Sequence, residues 1–482
     1  MSTNTLRNKG FSHHFLLPLL AILGVAGVGF YMLSIGSAAT GDASGRKALR
    51  AADFIDSQGV VAHLDDETYN DKNSVLRSLQ YVGIHNVRSN SSGSGPVREW
   101  LAKNGISFNY STTTPKNQPL SQHLGDVDNA IDKRVVNLLT QPSSGAKYAK
   151  TTASVEPFNE YDNKPDKDPH WDDTIAYAQK KLWAAKPRLA AVNPDVKILG
   201  PSVTGFRAVE SAQKLKAKGL DKYMDYGNVH SYSGGEPPET TLVPGDGLDG
   251  FVVTDLPKNA DGITERLQLY SSGISGKKRV IVTETGYHDY AQQPKNLHRY
   301  TDPRAVAVYM PRLYLENFRI GVLRTYVYEL LDEKKNSKEY EKHFGLFGPA
   351  GASAPKASAQ AMHALNSVLS DDARGADTFT TEKLKYSIKD KPENVKTLLL
   401  QKKSGKFYLV IWKGEKVWEP GNGPGLGKYS APNRPMTLKL TFAKNRSVSA
   451  YNNGDDKKTA LGSGKTAYNI SVSARPTILE IQ

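Results

Sequence analysis

Strand-like and helix-like segments alternate eight times between about residues 57 and 370, and this alternation constrains the fold more than any other feature of the sequence. The strand-like segments are short apolar runs, whereas apolar residues recur every three to four positions in the helix-like segments. The predicted strands are Gly59–Leu64, His85–Arg88, Ile106–Tyr110, Ser154–Glu160, Val196–Gly200, Tyr226–Tyr232, Arg279–Glu284 and Val322–Tyr328. The predicted helices cover residues 75–82, 97–104, 127–139, 172–186, 209–218, 261–272, 304–318 and 357–369.

Such alternation predicts parallel strands joined by helical crossovers. Eight strand–helix pairs in about 310 residues predict a (β/α)8 TIM barrel over residues 57–370. An open, doubly wound sheet is the alternative. That fold usually carries a glycine-rich phosphate-binding turn after an early strand, and this sequence has no such turn.

The helical pattern stops after about Asp377, and only strand-like runs follow. Turn residues separate them at Ser404-Gly405, Asn452–Gly454 and Gly462–Gly464. This pattern predicts a small antiparallel β-sandwich over residues 371–482. Its predicted strands are Leu398–Leu400, Phe407–Trp412, Met436–Phe442, Ser447–Tyr451, Tyr468–Val472 and Thr477–Ile481.

The N-terminus carries an uncharged apolar stretch over residues 15–36, preceded by Arg7 and Lys9. Its length approaches the ~20 residues that span a bilayer as a helix, which favours an uncleaved signal anchor within residues 1–40. A signal peptide cleaved near Ala39 remains the alternative. The basic flank should stay inside, so the rest of the chain is expected to be extracytoplasmic. Residues 41–56 are predicted to be a linker.

The formal net charge is +14, and the last quarter of the chain holds most of the excess. Residues 371–482 contain 20 Lys and Arg against 11 Asp and Glu. This basic region either binds an anionic cell-wall polymer or keeps the surface soluble. The basic residues lack an aromatic-interleaved motif, so no nucleic-acid partner is predicted. The chain has no cysteine, which excludes disulfides, thiolate metal sites and a cysteine nucleophile.

Polar residues stand at the C-terminal ends of several predicted strands, where β/α barrels place their active sites. Strand one ends in His63, strand two in Arg88, strand four in Asn159-Glu160, strand six in His230 and Tyr232, and strand seven in Glu284, while strand eight offers Tyr326, Tyr328 and Glu329. Two carboxylates across one barrel mouth suit glycosidic cleavage, because one protonates the leaving oxygen while the other attacks the anomeric carbon or activates water.

Two segments, Val155–Glu160 and Val280–Tyr287, resemble the signature strands of clan A, the retaining glycosidases built on β/α barrels. The resemblance covers about residues 57–370 and is closest to family 39 and family 5 members. It implies that Glu160 is the acid/base and Glu284 the nucleophile. It also implies that Asn159 binds the sugar 2-hydroxyl.

The same resemblance places Arg88 beside the nucleophile, where it keeps that carboxylate ionised, and His230 and Tyr232 against nucleophile and substrate. His63 is a candidate sugar contact. Tyr326 is a candidate for the sugar platform that many families build from a strand-eight tryptophan, and Trp171 is another. Core packing is the alternative for His63, His230 and Tyr326, and a buried loop anchor is the alternative for Trp171.

These observations predict an O-glycosyl hydrolase that acts on an extracellular polysaccharide or oligosaccharide through a covalent glycosyl–enzyme intermediate. A transglycosylase would use the same residues. A non-catalytic cell-wall or glycan-binding protein is the alternative of another class. No ligand spacing suggests a catalytic metal, so neither metal nor cofactor is predicted.

Overall fold

The computed structural model describes most of the chain after residue 44. The described residues are 45–90, 95–141, 150–163, 167–204, 208–240, 273–291, 299–334, 337–421, 427–432, 434–451 and 456–482. The apolar stretch at 15–36 and the predicted helix at 261–272 lie outside them. Within these ranges, no helix is both long and apolar enough to cross a membrane.

Eight parallel strands form the barrel, and each corresponds to one of the predicted strands. In chain order they are Gln58–Val61, Asn86–Ser89, Ser107–Thr112, Thr152–Phe158, Lys197–Ile198, Gly227–His230, Val280–Thr285 and Thr325–Val327, called strands one to eight below. Their spatial order is five, four, three, two, one, eight, seven, six. A parallel bridge between Leu199 and Tyr226 joins strands five and six, so the sheet closes on itself. The (β/α)8 prediction is confirmed.

Helices cover the outside of the barrel. Their bounds are Lys72–Val82, Gly95–Lys103, Leu124–Asn129 continuing through Ala130–Asn137 to Leu138–Thr140, Trp171–Ala190, Ala208–Lys216, Pro303–Arg319 and Ala357–Leu369. The first shows why these segments are helical. Its N-cap Asp71 accepts hydrogen bonds from two backbone amides, and Gly83 ends it with φ 69°. Val75, Leu79 and Val82 recur on one face and are buried.

The C-terminal region forms the predicted β-sandwich from one seven-stranded sheet. Its strands include Tyr386–Lys389, Val395–Gln401, Phe407–Lys413, Met436–Tyr451, Lys458–Val472 and Thr477–Ile481. Pairing is irregular between Thr441 and Arg446, which interrupts the long strand at its middle. Leu438 and Val448, from its two halves, pack in the same core, so one sheet supplies both layers.

Three predictions for this region differ from the structure. The segments 436–442 and 447–451, predicted as separate strands, are one strand. The predicted turn Gly462–Gly464 lies inside a strand. Residues 45–56, predicted as part of a linker, form the strands Arg46–Lys47 and Leu49–Arg50 and the helix Ala51–Asp56. Leu49–Arg50 pairs in parallel with Leu400–Gln401, so a segment before the barrel completes the sandwich sheet.

A buried ion pair joins the barrel to the sandwich. Arg312, fully buried on helix Pro303–Arg319, donates to Glu239 at 2.9 Å and to the carbonyl of Glu415 at 2.9 Å. Trp412 of the sandwich donates from Nε1 to the same Glu239 at 2.7 Å. Lys416 reaches Glu236 at 2.8 Å. Since Glu236 and Glu239 lie on the segment that follows strand six, the sandwich helps to hold one wall of the barrel mouth.

Candidate active site

Glu160 and Glu284 face each other across the barrel mouth, with His230 between them. Glu160 follows strand four in a left-handed backbone conformation (φ 44°), which is uncommon for a residue with a side chain. His230 Nδ1 lies 2.7 Å from Glu160 Oε1 and 3.5 Å from Glu284 Oε2. One ligating atom from each of these three residues lies within 4.8 Å of the others. We call these residues the strand-seven cluster.

Arg88 holds the Glu284 carboxylate from strand two. Its Nη1 donates to Glu284 Oε1 at 2.6 Å, its Nη2 donates to Asn159 Oδ1 at 2.7 Å, and its Nε forms a short hydrogen bond to Glu156. The guanidinium is almost fully buried. Burial alone would lower the pKa of Arg88, but Glu156 and Glu284 together raise it. The side chain therefore stays charged and orients both Glu284 and Asn159.

The Glu284 carboxylate is kept ionised by its neighbours. Burial alone would raise its pKa, but His230 and Arg88 lower it, and hydrogen bonds from Arg88 and Tyr232 lower it further. Tyr232 donates its hydroxyl to Glu284 Oε2 at 3.0 Å. Burial and the charge of Glu284 raise the pKa of Tyr232 well above its ordinary value, so it remains a donor. An ionised carboxylate held by donors on both oxygens suits a nucleophile.

His230 is fully buried at the end of strand six. Its Nε2 lies 3.1 Å from the hydroxyl of Thr283, on strand seven. Burial alone would lower the pKa of His230, but the charges of Glu284 and Glu160 raise it. His230 is buried and both of its ring nitrogens are hydrogen-bonded, as in the alternative of a satisfied core histidine, and one of its partners is the Glu160 carboxylate at the mouth.

Asp162 supports the segment that carries Glu160. It is buried, and burial raises its pKa to about 6 against hydrogen bonds from Ser211 and Thr204. Its carboxylate accepts from Ser211 Oγ at 2.6 Å and from the backbone amide of Thr204 at 3.0 Å. The Glu160 amide in turn donates to the carbonyl of Ser202 at 3.2 Å. These bonds tie the residues after strand four to those after strand five.

A second cluster, His63, Glu329 and Glu333, lies at the end of strands one and eight, and we call it the strand-eight cluster. His63 Nε2 is 3.7 Å from Glu329 and 3.9 Å from Glu333, distances too long for hydrogen bonds. Burial and the charge of Glu333 raise the pKa of Glu329 well above its usual range. Tyr328 donates to Glu333 at 3.0 Å, and Tyr69 donates to Glu329 at 3.1 Å.

Aromatic rings connect the two clusters. Phe344 packs edge-on against Tyr232, which bonds to Glu284 of the first cluster (ring centroids 5.9 Å apart), and against Tyr328, which bonds to Glu333 of the second (5.5 Å). Tyr328 also packs edge-on against His63 at 5.5 Å. Phe344 and Tyr328 therefore connect the two clusters at the same end of the barrel.

Two predicted sugar contacts are not part of this mouth. Tyr326 is fully buried inside the barrel, where its ring packs with Val61, Leu199 and Ile281. A Cβ on Gly59 would lie 2.5 Å from that ring, so the ring fills the barrel where strand one offers no side chain. Trp171 is 1% exposed, and its ring packs in the core beneath helix Trp171–Ala190. Neither ring offers a face to a sugar, because packing covers both.

Three residues that the structure brings to the site have no role in the sequence prediction: Glu156, Asn228 and Thr283. All three are polar residues within apolar strands. Such residues are costly unless they find partners, and this is the sequence signal that could have identified them. Glu156, four residues before Glu160 on a buried strand, carries the clearest signal.

Both clusters have the residue types that bind metals, but other groups already balance their charge. Arg88 and His230 lie against the carboxylates of the strand-seven cluster. Lys342 forms a short ion pair with Glu333 in the strand-eight cluster. The chemistry that this donor set supports directly is acid–base and nucleophilic chemistry by carboxylates.

No protein-family model and no curated protein sequence matches the chain. Solved structures do share its fold. A family 39 glycoside hydrolase from Bacteroides cellulosilyticus WH2 is 14% identical, with a TM-score of 0.55 over 89% of this chain and 82% of that one. A monomeric beta-xylosidase from Caulobacter crescentus CB15 is 14% identical, with a TM-score of 0.52 over 91% of this chain and 98% of that one.

A family 51 alpha-L-arabinofuranosidase from Bifidobacterium longum is 12% identical, with a TM-score of 0.50 over 92% of this chain and 98% of that one. The predicted resemblance to clan A barrels is thus confirmed at the level of the fold. The similarity covers the sandwich as well as the barrel, since each match spans about nine tenths of the chain.

Proposed function

We propose that this chain is a retaining glycoside hydrolase that acts on an extracellular glycan by double displacement. The observation that carries the proposal is the facing pair Glu160 and Glu284, whose carboxylate oxygens approach within 4.8 Å. Retaining enzymes place their two carboxyl groups ~5–5.5 Å apart, whereas inverting enzymes need several ångströms more to admit a water molecule. The fold shared with glycoside hydrolases supports the same assignment.

In the first step, a Glu284 oxygen attacks the anomeric carbon and the bond from that carbon to the leaving oxygen breaks. Glu160 gives its proton to the leaving oxygen, so the aglycone departs as an alcohol. The Glu284 carboxylate becomes a glycosyl ester. Arg88 and Tyr232, which hold its two oxygens before the attack, keep it aimed and ionised until then.

In the second step, Glu160 acts as a base. It removes a proton from a water molecule, whose oxygen attacks the anomeric carbon and releases Glu284 as a carboxylate. Two inversions restore the original configuration. If a sugar hydroxyl replaces water in this step, the glycosyl group is transferred to that sugar. Product analysis therefore separates transglycosylation from hydrolysis.

Sugar binding is assigned to both sides of the mouth. Asn159, oriented by Arg88, is placed to bond the 2-hydroxyl of the sugar held by Glu284. On the opposite side, His63 Nε2 and Glu329 Oε1 are buried atoms without a hydrogen-bond partner among the described residues. A pair of sugar hydroxyls would supply both partners, and Tyr328 with Phe344 would line the apolar face of the ring.

The test is chemical rescue. Glu284→Ala should lose at least ~10⁴-fold of the wild-type rate on an aryl glycoside, because no covalent intermediate can form. Added azide should restore part of that rate and give a glycosyl azide of inverted configuration. Glu160→Ala should lose ~10²–10⁴-fold on natural substrates but much less on substrates with acidic leaving groups.

Glu393→Ala, which removes an exposed carboxylate of the sandwich, is the matched control. If Glu284→Ala and Glu160→Ala both keep wild-type rates on every hydrolysed substrate, these two residues are not the nucleophile and the acid/base. A panel of polysaccharides and aryl glycosides, tested on residues 41–482, would identify the sugar and separate endo from exo action.

The proposal includes an extracytoplasmic location, which rests on the N-terminal sequence alone. Arg7 and Lys9 before the apolar stretch 15–36 would leave the barrel outside the membrane. Fractionation of the full chain, with N-terminal sequencing of the exported product, tests anchoring against cleavage near Ala39. Sedimentation of residues 41–482 with an anionic wall polymer, at rising salt concentration, tests whether the basic sandwich binds it.

A further inference from the structure

We propose that hydrogen bonds running from Glu156 through Asn228 and Thr283 hold His230 with a proton on Nε2, so that one further proton is shared between His230 Nδ1 and Glu160. The inference rests on the proposed function, in which Glu160 delivers that proton, and it specifies how the proton is held. Glu156, Asn228 and Thr283 are then positioning residues, because they act on Glu160 only through His230.

The chain of hydrogen bonds begins with the charge of Glu156. This side chain is fully buried on strand four, and Arg88 donates to its Oε1 through Nε. A buried carboxylate beside a buried guanidinium is ionised and can only accept hydrogen bonds. Every donor around Glu156 must therefore point its hydrogen at the carboxylate.

That requirement fixes the amide of Asn228. Its Nδ2 donates to Glu156 Oε2 at 2.5 Å. The flipped amide would place Oδ1 against an ionised carboxylate, which is repulsive. Asn228 Oδ1 consequently faces strand seven, where it accepts from the hydroxyl of Thr283 at 2.5 Å.

The hydroxyl of Thr283 has one hydrogen, and it is committed to Asn228. Towards His230, 3.1 Å away, the Thr283 oxygen can offer only a lone pair. His230 Nε2 must carry a hydrogen to make that bond. The charge of Glu156 thus dictates the tautomer of a histidine that lies three hydrogen bonds away along this chain.

The consequence appears at the other ring nitrogen. With Nε2 protonated, His230 Nδ1 is 2.7 Å from Glu160 Oε1, a distance that requires one hydrogen between them. Either Glu160 is the acid and Nδ1 accepts, or the ring is an imidazolium and Glu160 is ionised. Losing this proton would leave a lone pair facing a carboxylate. The other neutral tautomer relieves that contact only by turning a bare Nε2 towards the lone pair of Thr283.

The charged groups that face His230 favour the same proton. Glu160 and Glu284 lie 2.7 and 3.5 Å from Nδ1, and Arg88 opposes them from beyond Glu284. Glu156 also anchors Arg88, which holds Glu284. One buried carboxylate therefore sets the geometry of both catalytic carboxylates through two separate paths.

The first experiment determines the tautomer directly, without reference to activity. Protein labelled with ¹⁵N-histidine is examined by NMR, and the His230 signals are assigned from the spectrum of His230→Asn. We expect Nε2 to carry hydrogen, with Nδ1 either bare or also protonated. A neutral ring with hydrogen on Nδ1 and a bare Nε2 would overturn the proposal, even if the glycosidase assignment holds.

The second experiment compares Thr283→Val with Thr283→Ser. Valine keeps the shape but removes the acceptor, so the alternative tautomer becomes accessible and the shared proton is easier to lose. The basic limb of the kcat/KM profile against pH should move to lower pH by about one unit in Thr283→Val. Thr283→Ser retains the hydroxyl, and its limb should stay at the wild-type position.

A basic limb that does not move in Thr283→Val, with the Nε2 tautomer retained in its spectrum, would contradict the proposal. Loss of the glycosidase assignment itself has a different signature. In that case no variant shows a turnover profile, while the wild-type tautomer is still measured by NMR. A general loss of stability would lower kcat in Thr283→Val without displacing the limb.

Discussion

The barrel mouth contains two clusters of the same composition, each with two glutamates and a histidine, yet the two differ in charge. In the strand-seven cluster, Arg88 and His230 lower the pKa of Glu284 against the effect of desolvation. In the strand-eight cluster, burial and Glu333 raise the pKa of Glu329. Lys342 bonds there to Glu333 and not to Glu329 among the described contacts.

The difference shows that residue types alone do not determine what a carboxylate does. A cation at hydrogen-bonding distance lowers the pKa of Glu284 and favours the ionised form that a nucleophile needs. The fully buried Glu329, whose pKa is raised, favours the neutral acid, a donor and acceptor suited to hydroxyl groups. Four substitutions test this contrast, and they follow in order of decreasing expected effect.

Arg88→Met removes the cation on which the contrast depends. Glu156 would remain fully buried, and Glu284 would be only 12% exposed, without their partner, so the free energy of unfolding should fall by about 3–5 kcal/mol. The value of kcat/KM should fall by about 10³-fold as well. Denaturant unfolding and steady-state kinetics measure the two effects. Arg88→Lys keeps the charge but cannot reach three acceptors, so its stability and its kcat/KM should lie between those of wild type and Arg88→Met. If Arg88→Met lowers the free energy of unfolding by less than about 1 kcal/mol, the charge of Arg88 does not distinguish the two clusters.

Glu284→Gln removes the charge that Arg88 holds. Because the folded-state pKa of Glu284 is lowered, its charge stabilises the fold above the unfolded pKa, and this contribution is lost as pH falls through the folded pKa. We expect Glu284→Gln to be about 2 kcal/mol less stable than wild type at pH 7 and to approach it as the pH falls through the folded-state pKa of Glu284. Thermal unfolding across this pH range measures the difference in stability between Glu284→Gln and wild type. A difference that does not change with pH would contradict the prediction.

Tyr232→Phe removes the hydroxyl that donates to Glu284 Oε2. The expected result is about a tenfold loss in kcat with little change in stability, since one hydrogen bond to the reacting carboxylate is lost. Tyr328→Phe is the matched variant of the strand-eight cluster, where the hydroxyl serves Glu333. The loss of activity in Tyr328→Phe should be smaller and should appear as a higher KM. Equal losses in kcat for both tyrosines would remove the distinction between the clusters.

Glu329→Gln should have the smallest effect and the opposite sign. The folded-state pKa of Glu329 is raised, so wild type loses stability as pH rises above the unfolded pKa, because only the folded chain retains the proton. Glutamine imitates the neutral acid. We expect Glu329→Gln to be more stable than wild type at pH 7, by on the order of 1 kcal/mol, with no gap near pH 4. A variant clearly less stable than wild type at pH 7 would refute this.

The sequence supported the barrel well, because eight short apolar strands and their helices are local patterns. Strand ends located His63, Arg88, Asn159, Glu160, His230, Tyr232 and Glu284, which the structure brings to the mouth. Period-two alternation shows which face of a strand a residue lies on, but not how deep in the barrel it lies. The sequence therefore predicts Tyr326 at the mouth, whereas it lies inside the barrel, one residue before the end of strand eight. Its position depends on Gly59 of a neighbouring strand.

The buried partners of Arg88 and His230 were beyond sequence reasoning for a related reason. Glu156, Asn228 and Thr283 lie on three different strands, and their contacts span 55 to 72 positions. The strand register that joins them is set by the closed sheet, not by any local motif. The raised pKa of Glu329 depends likewise on what surrounds it.

The parallel pairing of Leu49–Arg50 with Leu400–Gln401 has a consequence for how this chain is made. Synthesis proceeds from the N-terminus, so residues 49 and 50 leave the ribosome some 350 residues before their partner strand does. The backbone groups of these two residues have no partner strand to bond while the barrel is being synthesised. Any truncation near residue 370 would leave them without that partner permanently, so expression experiments need to keep both ends of the chain together.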